Sequence, residues 1–401
     1  MIKNILLFAL ICLALSQDIV FNKVKAVKDS GKVTFDNNKQ SGKLMEEMGF
    51  GWNLGNSFDA HNGNGNEGLS SETSWGNPKV TNAMIDKLVA KGFKTIRIPV
   101  TWHNHLIDNQ YTIDPQWMSR VKTVVDYCIK KGLFVILNVH HDNSNYGVSY
   151  GKGYYPRSNQ MGESKKFLAN IWSQIALAFN NGYDHHLIFE CLNEPRLIGD
   201  SHEWWYQPGE SSSEECVQVI NEYNYLIHYI IRISGGNNKL RFLLFTNGAA
   251  AFDYVTSGKF YLPDDSKYNP KHKRLLVSVH MYTPYDFAMN ADMSKNYFTQ
   301  GYQNEIESKL NTLKNQFINN GYYVVITEMG ATDKGNTDQR IKWGQAYVAK
   351  AKSLKIPCVI WDNNIFKNQW DDANEKFGLF HRSQGTFEPD SYVNALIQAA
   401  K

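Results

Sequence analysis

Short apolar runs alternate with longer amphipathic stretches along most of the chain. Eight of these runs are rich in β-branched and aromatic residues and have the length of strands. Their apolar residues are nearly continuous, which is typical of parallel strands covered on both faces. We predict strands at 49–56, 94–100, 133–142, 186–195, 241–248, 275–284, 323–331 and 356–364.

Helices are predicted between these strands, where apolar residues recur every three or four positions. Gly92, Gly132 and Gly235 follow three of them, as expected of residues that end helices in a left-handed conformation. The segment 252–273 lacks this period and is predicted to be a loop. The predicted helices cover 80–91, 116–131, 164–180, 214–234, 302–319, 338–354 and 389–400.

This succession of eight strand–helix units predicts an α/β fold, a (β/α)8 TIM barrel, as a single domain. A doubly wound open sheet is the alternative, but no Walker phosphate-binding motif supports it. The chain has no Pro/Ser-rich linker, internal repeat or low-complexity block. We therefore expect no appended binding module.

The N-terminus carries one Lys before an apolar run at 5–15. That run is about 11 residues long, too short for the roughly 20 that a membrane-spanning helix needs. It predicts a secretory signal peptide at 1–17 and a secreted protein. The domain then covers 18–401, with an irregular lead-in at 18–40.

Charge and cysteine content narrow the class further. The 42 basic and 39 acidic residues give a net charge of +3, so neither nucleic acid nor a membrane is an expected partner. We also expect the protein to be a monomer. Cys12 would leave with the signal peptide. The four other cysteines allow up to two disulfides, although apolar surroundings at Cys191 and Cys358 favour buried free thiols. The four are Cys128, Cys191, Cys216 and Cys358.

Polar and aromatic residues follow the predicted strands, and in a barrel these carboxyl ends converge on one cup. A single polar strand end is usually only a solvated terminus, but all eight ends show this character. The residues concerned are Asn53, Asn56, Asp59, Arg97, Trp102, His103, His105, His140, His141, Asp142, Asn193, Glu194, Asn247, His280, Tyr282, Glu328, Trp361, Asp362 and Asn363.

Two carboxylates stand out in this set, because Glu194 and Glu328 both end apolar strands, in the fourth and seventh units. Tips of such strands can face each other across the cup. Cleavage of a glycosidic bond needs two such groups, one to protonate the leaving oxygen and one to attack the anomeric carbon. A gap of about 5 Å predicts retention of configuration, and one of roughly 6.5–9.5 Å predicts inversion.

Neighbouring residues suggest how the two roles divide. Arg97 and Tyr282 can keep Glu328 ionised as a nucleophile. Glu194 suits the acid, whose pKa we expect apolar walls or the other carboxylate to raise.

Four further residues fit a sugar site. Asn193 can bind the 2-hydroxyl of a sugar, and Trp361 offers a flat face to a pyranose ring. His140 and His280 can donate to hydroxyls or tune the acid.

Two other interpretations use the same cup. A metal-dependent barrel hydrolase would draw on histidine and aspartate ligands. Against it, two of these histidines lie past the strand end, and no consistent ligand set follows on later strands. A carbohydrate-binding protein without catalysis would need no paired glutamates. The candidate metal ligands are His103, His105, His140, His141, Asp142 and His280.

Nine motifs in order resemble glycoside hydrolase family five, the cellulase A family, and its endoglucanase-rich subfamily four. The match spans 49–382, and the motifs are GWNLGNSFDA, TSWGNP, GFKTIRIPVTW, FVILNVHHD, IFECLNEP, VSVHMYTP, VVITEMGA, VIWDNN and FGLFHR. The resemblance implies a retaining endo-β-1,4-glucanase on a (β/α)8 barrel, without metal or cofactor, acting on β-glucan polysaccharide.

The resemblance also assigns roles. It implies that Glu194 of NEP is the acid/base and that Glu328 of ITEMG is the nucleophile. Asn56 and His141 match positions on the glycone side of the cleft. The remaining matched active-site positions are Arg97, His140, Asn193, His280, Tyr282 and Trp361.

Departures from the family pattern concern substrate detail. Met281 stands where an aromatic residue is common, and His381 replaces the usual Asp or Asn. Relatives resembling xyloglucanases, lichenases, xylanases and mannanases leave the preferred polysaccharide open. The Tyr-rich stretch at 143–160 and the aromatic stretch at 202–206 can build stacking subsites or only pack as loops, and the balance of exo and endo action depends on them.

Overall fold

Eight parallel strands close into a barrel in the computed structural model, which describes residues 26–63, 65–143, 153–271, 273–367 and 375–401. Each strand pairs with the next along the chain, and the first pairs with the eighth, so the predicted TIM barrel is confirmed. The strands are β1 (Phe50–Asn53), β2 (Thr95–Ile98), β3 (Phe134–Asn138), β4 (Leu187–Glu190), β5 (Leu243–Phe245), β6 (Leu275–His280), β7 (Tyr323–Met329) and β8 (Cys358–Ile360).

All eight predicted strands exist, but each is shorter than predicted, because the polar residues after each run leave the ladder and form the rim. The predicted helices are also present, with ends shifted by a few residues. Gly92, after the first of them, has φ of 110° and accordingly ends that helix in the left-handed region. These helices are α2 (Asn82–Lys91), α3 (Pro115–Lys130), α4 (Met161–Ala178), α5 (Ser211–Ile233), α8 (Gln300–Gln316), α9 (Thr337–Ser353) and α10 (Asp390–Ala399).

The lead-in is more ordered than predicted where it is described. It packs Phe35 into the barrel and continues into a helix, α1 (Ser41–Met48), that the sequence analysis missed. Leu44 and Met48 contact the apolar interior of the barrel, and Thr95 of β2 donates to the carbonyl of Met48. This short helix therefore closes the amino-terminal end of the barrel, opposite the rim.

The segment predicted as a loop between β5 and β6 begins with a short helix, α6 (Phe252–Val255). The remainder is held to α5 by Asp265, which accepts hydrogen bonds from His228 and Arg232. Other short elements are α7 (Tyr285–Ala288) and a hairpin of β9 (Phe380–His381) and β10 (Thr386–Phe387).

The four cysteines predicted for the mature chain are free and buried, which excludes the disulfide alternative. Among the described residues, no helix combines the length and apolarity required to cross a bilayer. The predicted signal peptide and Cys12 lie outside the described residues, as do positions 144–152 of the predicted Tyr-rich loop.

Candidate active site

Arg97 lies at the centre of a buried polar layer just beneath the rim. It is fully buried, and its guanidinium donates to Asn53 Oδ1 at 2.9 Å, Glu190 Oε2 at 2.7 Å, Glu328 Oε1 at 2.6 Å and Asn193 Oδ1 at 2.6 Å. Charge-assisted bonds of this length are strong and directional. One side chain from β2 thus fixes groups contributed by three other strands and a loop.

Glu328 is the last but one residue of β7 and is almost completely buried. Besides the bond from Arg97, its Oε2 accepts the hydroxyl of Tyr282 at 2.8 Å, so both predicted donors are in place. Burial raises the pKa of Glu328 above its ordinary value, while His280, Arg97 and Tyr282 all stabilise the carboxylate. Glu328 is thus a buried carboxylate whose hydrogen-bond donors are already in position.

Glu194 lies four residues beyond the end of β4, because the strand ends at Glu190 and not at the predicted position 195. The chain nevertheless stays between its neighbours. Asn193 donates its backbone N–H to the carbonyl of Val139, and the carbonyl of Pro195 accepts from Ala249. Glu194 is therefore aimed into the cup by a loop that is fixed on both sides.

The two carboxylates meet at His280, the last residue of β6. Its Nδ1 donates to Glu194 Oε1 at 2.7 Å and lies 3.6 Å from Glu328 Oε2. Ligand atoms of these three residues all lie within 4.8 Å of one another, so an oxygen of one carboxylate is within that distance of the other. Carboxyl groups are about 5–5.5 Å apart in retaining glycosidases and roughly 6.5–9.5 Å apart in inverting ones, so this close approach of their oxygens favours retention.

The predicted rise in the pKa of Glu194 is wrong for this state of the site. Burial does raise it, but the hydrogen bond and charge of His280, with Arg196 and His141, outweigh burial and lower the pKa to about 2. The pKa of His280 is correspondingly raised: burial alone would lower it, and the charges of Glu328 and Glu194 reverse the direction. The two shifts therefore favour a protonated His280 that donates to a Glu194 carboxylate.

His140 and Trp361 form one wall of the cup. Their rings are parallel within 5°, with centroids 6.0 Å apart. Burial lowers the pKa of His140, and its Nδ1 accepts a hydrogen bond from Asn138 at 3.1 Å, so the ring is neutral. Trp361 is only partly buried and presents a flat face to the cleft.

The two predicted glycone residues line the cleft beside this wall. Asn56 and His141 both line the cleft, and His141 packs against the ring of Trp75 with centroids 5.6 Å apart. Asp59 is buried behind them, where its carboxylate accepts the backbone N–H of Asn56 and lies 3.9 Å from His141. Histidine and tryptophan rings therefore line this part of the cleft.

The cleft has a volume of about 1200 Å³ and contains both glutamates. Its wall also includes aromatic residues from the loops after β4, β5 and β6. These are Trp204, Trp205, Phe252 and Tyr285.

The ligand set of the alternative metal site is not assembled. His105 stacks on Trp117 with ring centroids 3.6 Å apart, and His103 pairs with Asp142. Within the described ranges, the cup contains two groups of three ligand atoms close enough to share an ion, and neither includes His103, His105 or Asp142. They are Asp59–His140–His141 and Glu194–His280–Glu328.

Glu190 was missed by sequence reasoning. It ends β4, is fully buried, and accepts from Arg97, from Asn138 at 2.9 Å and from Ser278 at 2.7 Å. The available signal was a carboxylate inside the apolar run LIFECL, because a charge inside a buried strand requires a partner.

The two departures from the family pattern lie in different surroundings. Met281 is buried, and its carbonyl accepts the hydroxyl of Tyr347. His381 lies in β9, stacks on Phe366 and bonds Glu388.

Comparison with known proteins agrees with this geometry. Residues 59–367 match the family model described as cellulase (glycosyl hydrolase family 5). Endoglucanase A of Clostridium longisporum is 39% identical over 392 residues, which are 96% of this chain and 70% of that protein. The chain therefore belongs to the cellulase family, glycosyl hydrolase family 5, and is a glycoside hydrolase.

Solved structures place it more narrowly. A variant of a family 5 lichenase from Caldicellulosiruptor sp. F32, in complex with cellotetraose, has a TM-score of 0.84 and 36% identity, covering 94% of this chain and all of the other. A subfamily four broad-specificity endoglucanase from Clostridium longisporum has a TM-score of 0.80 and 38% identity, covering 90% and 98%. Sequence and structure thus agree on the endoglucanases of subfamily four.

Proposed function

We propose that this endo-β-1,4-glucanase cleaves internal bonds of β-1,4-linked glucans by double displacement, with Glu328 as nucleophile and Glu194 as acid/base. The observation that carries the proposal is the approach of the two carboxylates to within 4.8 Å on either side of His280. A direct attack needs this short gap, whereas a water-mediated inversion needs a wider one.

In the first step, a carboxylate oxygen of Glu328 forms a bond to the anomeric carbon as the glycosidic carbon–oxygen bond breaks. The leaving oxygen takes the proton of Glu194, so one carboxylate becomes an ester and the other becomes charged. In the second step, Glu194 removes a proton from water, whose oxygen attacks the anomeric carbon and releases Glu328. The net reaction is hydrolysis with retention.

Glu194 must receive its proton before the first step, and His280 is the donor in reach. Transfer across the 2.7 Å contact converts the ion pair into a neutral carboxylic acid and a neutral imidazole. Entry of a sugar expels water and disfavours separated charges, which favours the neutral pair. His280 thus holds the catalytic proton until substrate is bound.

Supporting residues orient the sugar. Asn193 uses its Oδ1 to accept from Arg97, which leaves the amide nitrogen to donate to the 2-hydroxyl. Trp361 stacks on a pyranose ring, and Asn56, His140 and His141 contact hydroxyls on the glycone side. Aromatic residues on both sides of the carboxylates, among them Trp75 and Trp204, suit a chain that continues in both directions.

The test compares wild type, Glu194→Gln and Glu328→Gln on carboxymethyl cellulose, mixed-linkage glucan, xyloglucan, xylan and mannan. We expect the wild type to hydrolyse β-1,4-glucans and both variants to lose about 10²–10⁴-fold in kcat. NMR of the first product formed should show the β-anomer. If the wild type were active only on xylan or mannan, the proposed substrate would be wrong. An α-anomer as the first product would overturn the proposed mechanism.

We also propose that the enzyme is secreted, on the basis of the apolar segment at 5–15. Expression of the full chain in a secreting host tests this. Mature protein in the medium should begin near residue 17 or 18, and retention of residues 1–17 would contradict the proposal.

A further inference from the structure

We infer that the turn before β4 is a metal site, in which Asp184, His185 and His186 bind one divalent transition-metal ion such as Zn²⁺. This turn leads from α4 into β4 at the amino-terminal end of the barrel, opposite the rim that carries the catalytic cup. The inference does not depend on the proposed function, because none of the three residues lines the cleft.

The spacing of the ligand atoms suits one ion. One atom from each of the three residues lies within 4.8 Å of the other two. Asp184 Oδ2 is 3.9 Å from His185 Nδ1, and Asp184 Oδ1 is 2.9 Å from His186 Nδ1. Zinc binds carboxylate oxygen and imidazole nitrogen at about 2.0–2.2 Å, so two ligands of one ion can be up to about 4 Å apart. Both pairs already meet this limit.

His185 supplies a second observation that points to a ligand. Among the described residues, its Nδ1 is buried without a hydrogen-bond partner. The 3.9 Å to the carboxylate of Asp184 is too long for a hydrogen bond. A buried polar atom left unpaired costs free energy. An ion between the two groups satisfies both the nitrogen and the carboxylate.

The protonation of the three residues also fits a metal. Burial lowers the pKa of His185, so its nitrogen lone pair is free at neutral pH, and the charges of Lys39 and Glu47 beside it oppose each other. Burial opposes the ionisation of Asp184, but hydrogen bonds from His186 outweigh it and lower the pKa to about 2. When His186 carries its proton on Nε2, its Nδ1 binds the ion in place of that side-chain hydrogen bond. Two imidazoles and a carboxylate are a donor set that suits zinc.

The surrounding fold holds both rings in position. His185 packs edge-on against Phe35, with centroids 6.2 Å apart, and His186 stacks on Phe134 of β3 at 4.7 Å. Arg241 donates to the backbone carbonyl of the aspartate at 2.9 Å. The ligands therefore come from a fixed turn, and little conformational entropy is lost when an ion binds.

An ion at this turn would act on stability. It would join two rings and a carboxylate at the start of β4, at a distance from the catalytic glutamates along the barrel axis. A ligand that binds the folded state and not the unfolded chain raises the free energy of unfolding. We therefore expect a structural ion whose removal leaves kcat unchanged.

The experiment titrates ZnCl₂ into the untagged, chelator-treated chain by isothermal calorimetry. His185→Phe and His186→Phe each keep a ring in the packing and remove its nitrogens. We expect wild type to bind one ion that each variant binds at least about tenfold more weakly. Zn²⁺ should raise the melting temperature of wild type more than that of either variant. Without metal, His185→Phe should keep the wild-type kcat on cellohexaose.

His381→Phe is the matched control. His381 stacks on Phe366 with centroids 3.7 Å apart and bonds Glu388 at 2.6 Å, so it is also a histidine beside a phenylalanine ring and a carboxylate. Within the described ranges it belongs to no group of three ligands. Its replacement should leave the zinc titration unchanged. Asp184→Asn, which keeps an oxygen acceptor, gives a further test if a histidine variant folds poorly.

The absence of zinc binding by wild type would overturn the inference, as would wild-type affinity in His185→Phe and His186→Phe or an equal loss in His381→Phe. Loss of the ion in His141→Gln but not in His185→Phe would place it in the cup and would also overturn it. Failure of the proposed function is a different result, since it would appear as full activity in Glu194→Gln and Glu328→Gln.

Discussion

Glu190 and Glu328 share Arg97: the guanidinium donates Nε to one carboxylate at 2.7 Å and Nη1 to the other at 2.6 Å. One cation thus faces two buried anions. Arg97 therefore divides its positive charge between Glu328, the proposed nucleophile, and Glu190, which lies beneath the rim. Three consequences of this arrangement and of its surroundings can be measured, together with one for the cysteines.

The first prediction concerns Glu190→Gln. Removal of the negative charge leaves Arg97 fully available to Glu328, so the pKa of Glu328 should fall and the acidic limb of kcat/KM should move to lower pH. A less basic nucleophile should also lower kcat. Measurement of the pH–rate profile checks both effects, and denaturant unfolding should show a loss of up to about 3–5 kcal/mol because a buried pair is broken.

Ser278→Ala is the control for that variant, since it removes a hydrogen bond to Glu190 without a change in charge. Its acidic limb should stay close to that of the wild type. If the limb in Glu190→Gln moves upward or stays in place, Glu190 serves packing alone.

Tyr282→Phe gives the opposite shift. The hydroxyl of Tyr282 donates to Glu328 Oε2 and stabilises the carboxylate, so its loss should raise the pKa of Glu328 and move the acidic limb to higher pH. We expect kcat to fall roughly 10- to 150-fold, as one charge-assisted bond of about 1.5–3 kcal/mol is lost. Steady-state kinetics over roughly pH 4–8, measured for wild type and variant, would show both the shift of the acidic limb and the fall in kcat. A profile that keeps its shape would contradict the assignment.

Asp59 makes folding stability depend on pH. Burial raises its pKa to about 6, against the hydrogen bonds of the Asn56 and Ser57 amides. Since an unfolded aspartate titrates near 3.9, the folded state binds more protons between about pH 4 and pH 6, and stability falls as pH rises through that window.

Asp59→Asn removes this dependence. Its free energy of unfolding relative to wild type should rise by up to about 3 kcal/mol between pH 4 and pH 7. Urea denaturation at several pH values measures the difference, and a difference that does not vary with pH would show that Asp59 is not protonated on folding.

The buried cysteines should be inert in the folded enzyme. Burial raises the pKa of the Cys216 thiol to about 12 and raises those of Cys128, Cys191 and Cys358 as well, so little reactive thiolate forms. A thiol reagent should label the native protein slowly and all four mature thiols rapidly in denaturant, without prior reduction. Labelling of fewer than four without a reductant would indicate a disulfide.

The sequence alone determined the fold class and most of the site. Nearly continuous apolar runs such as 323–331 predicted parallel strands that are covered on both faces. The alternation of eight such runs with helices predicted the barrel. In a closed barrel every strand ends at the same rim, so the convergence of Glu194, Glu328 and Arg97 followed from topology without any distance.

Tertiary structure decided the quantities that depend on separation and burial. The gap between Glu194 and Glu328, the placement of the proton on His280 and the sharing of Arg97 with Glu190 all join residues from different strands. No local pattern encodes such distances. The pKa of Glu194 was expected to rise because burial is readable from apolar neighbours, but it falls because His280, 86 positions away in sequence, donates to it.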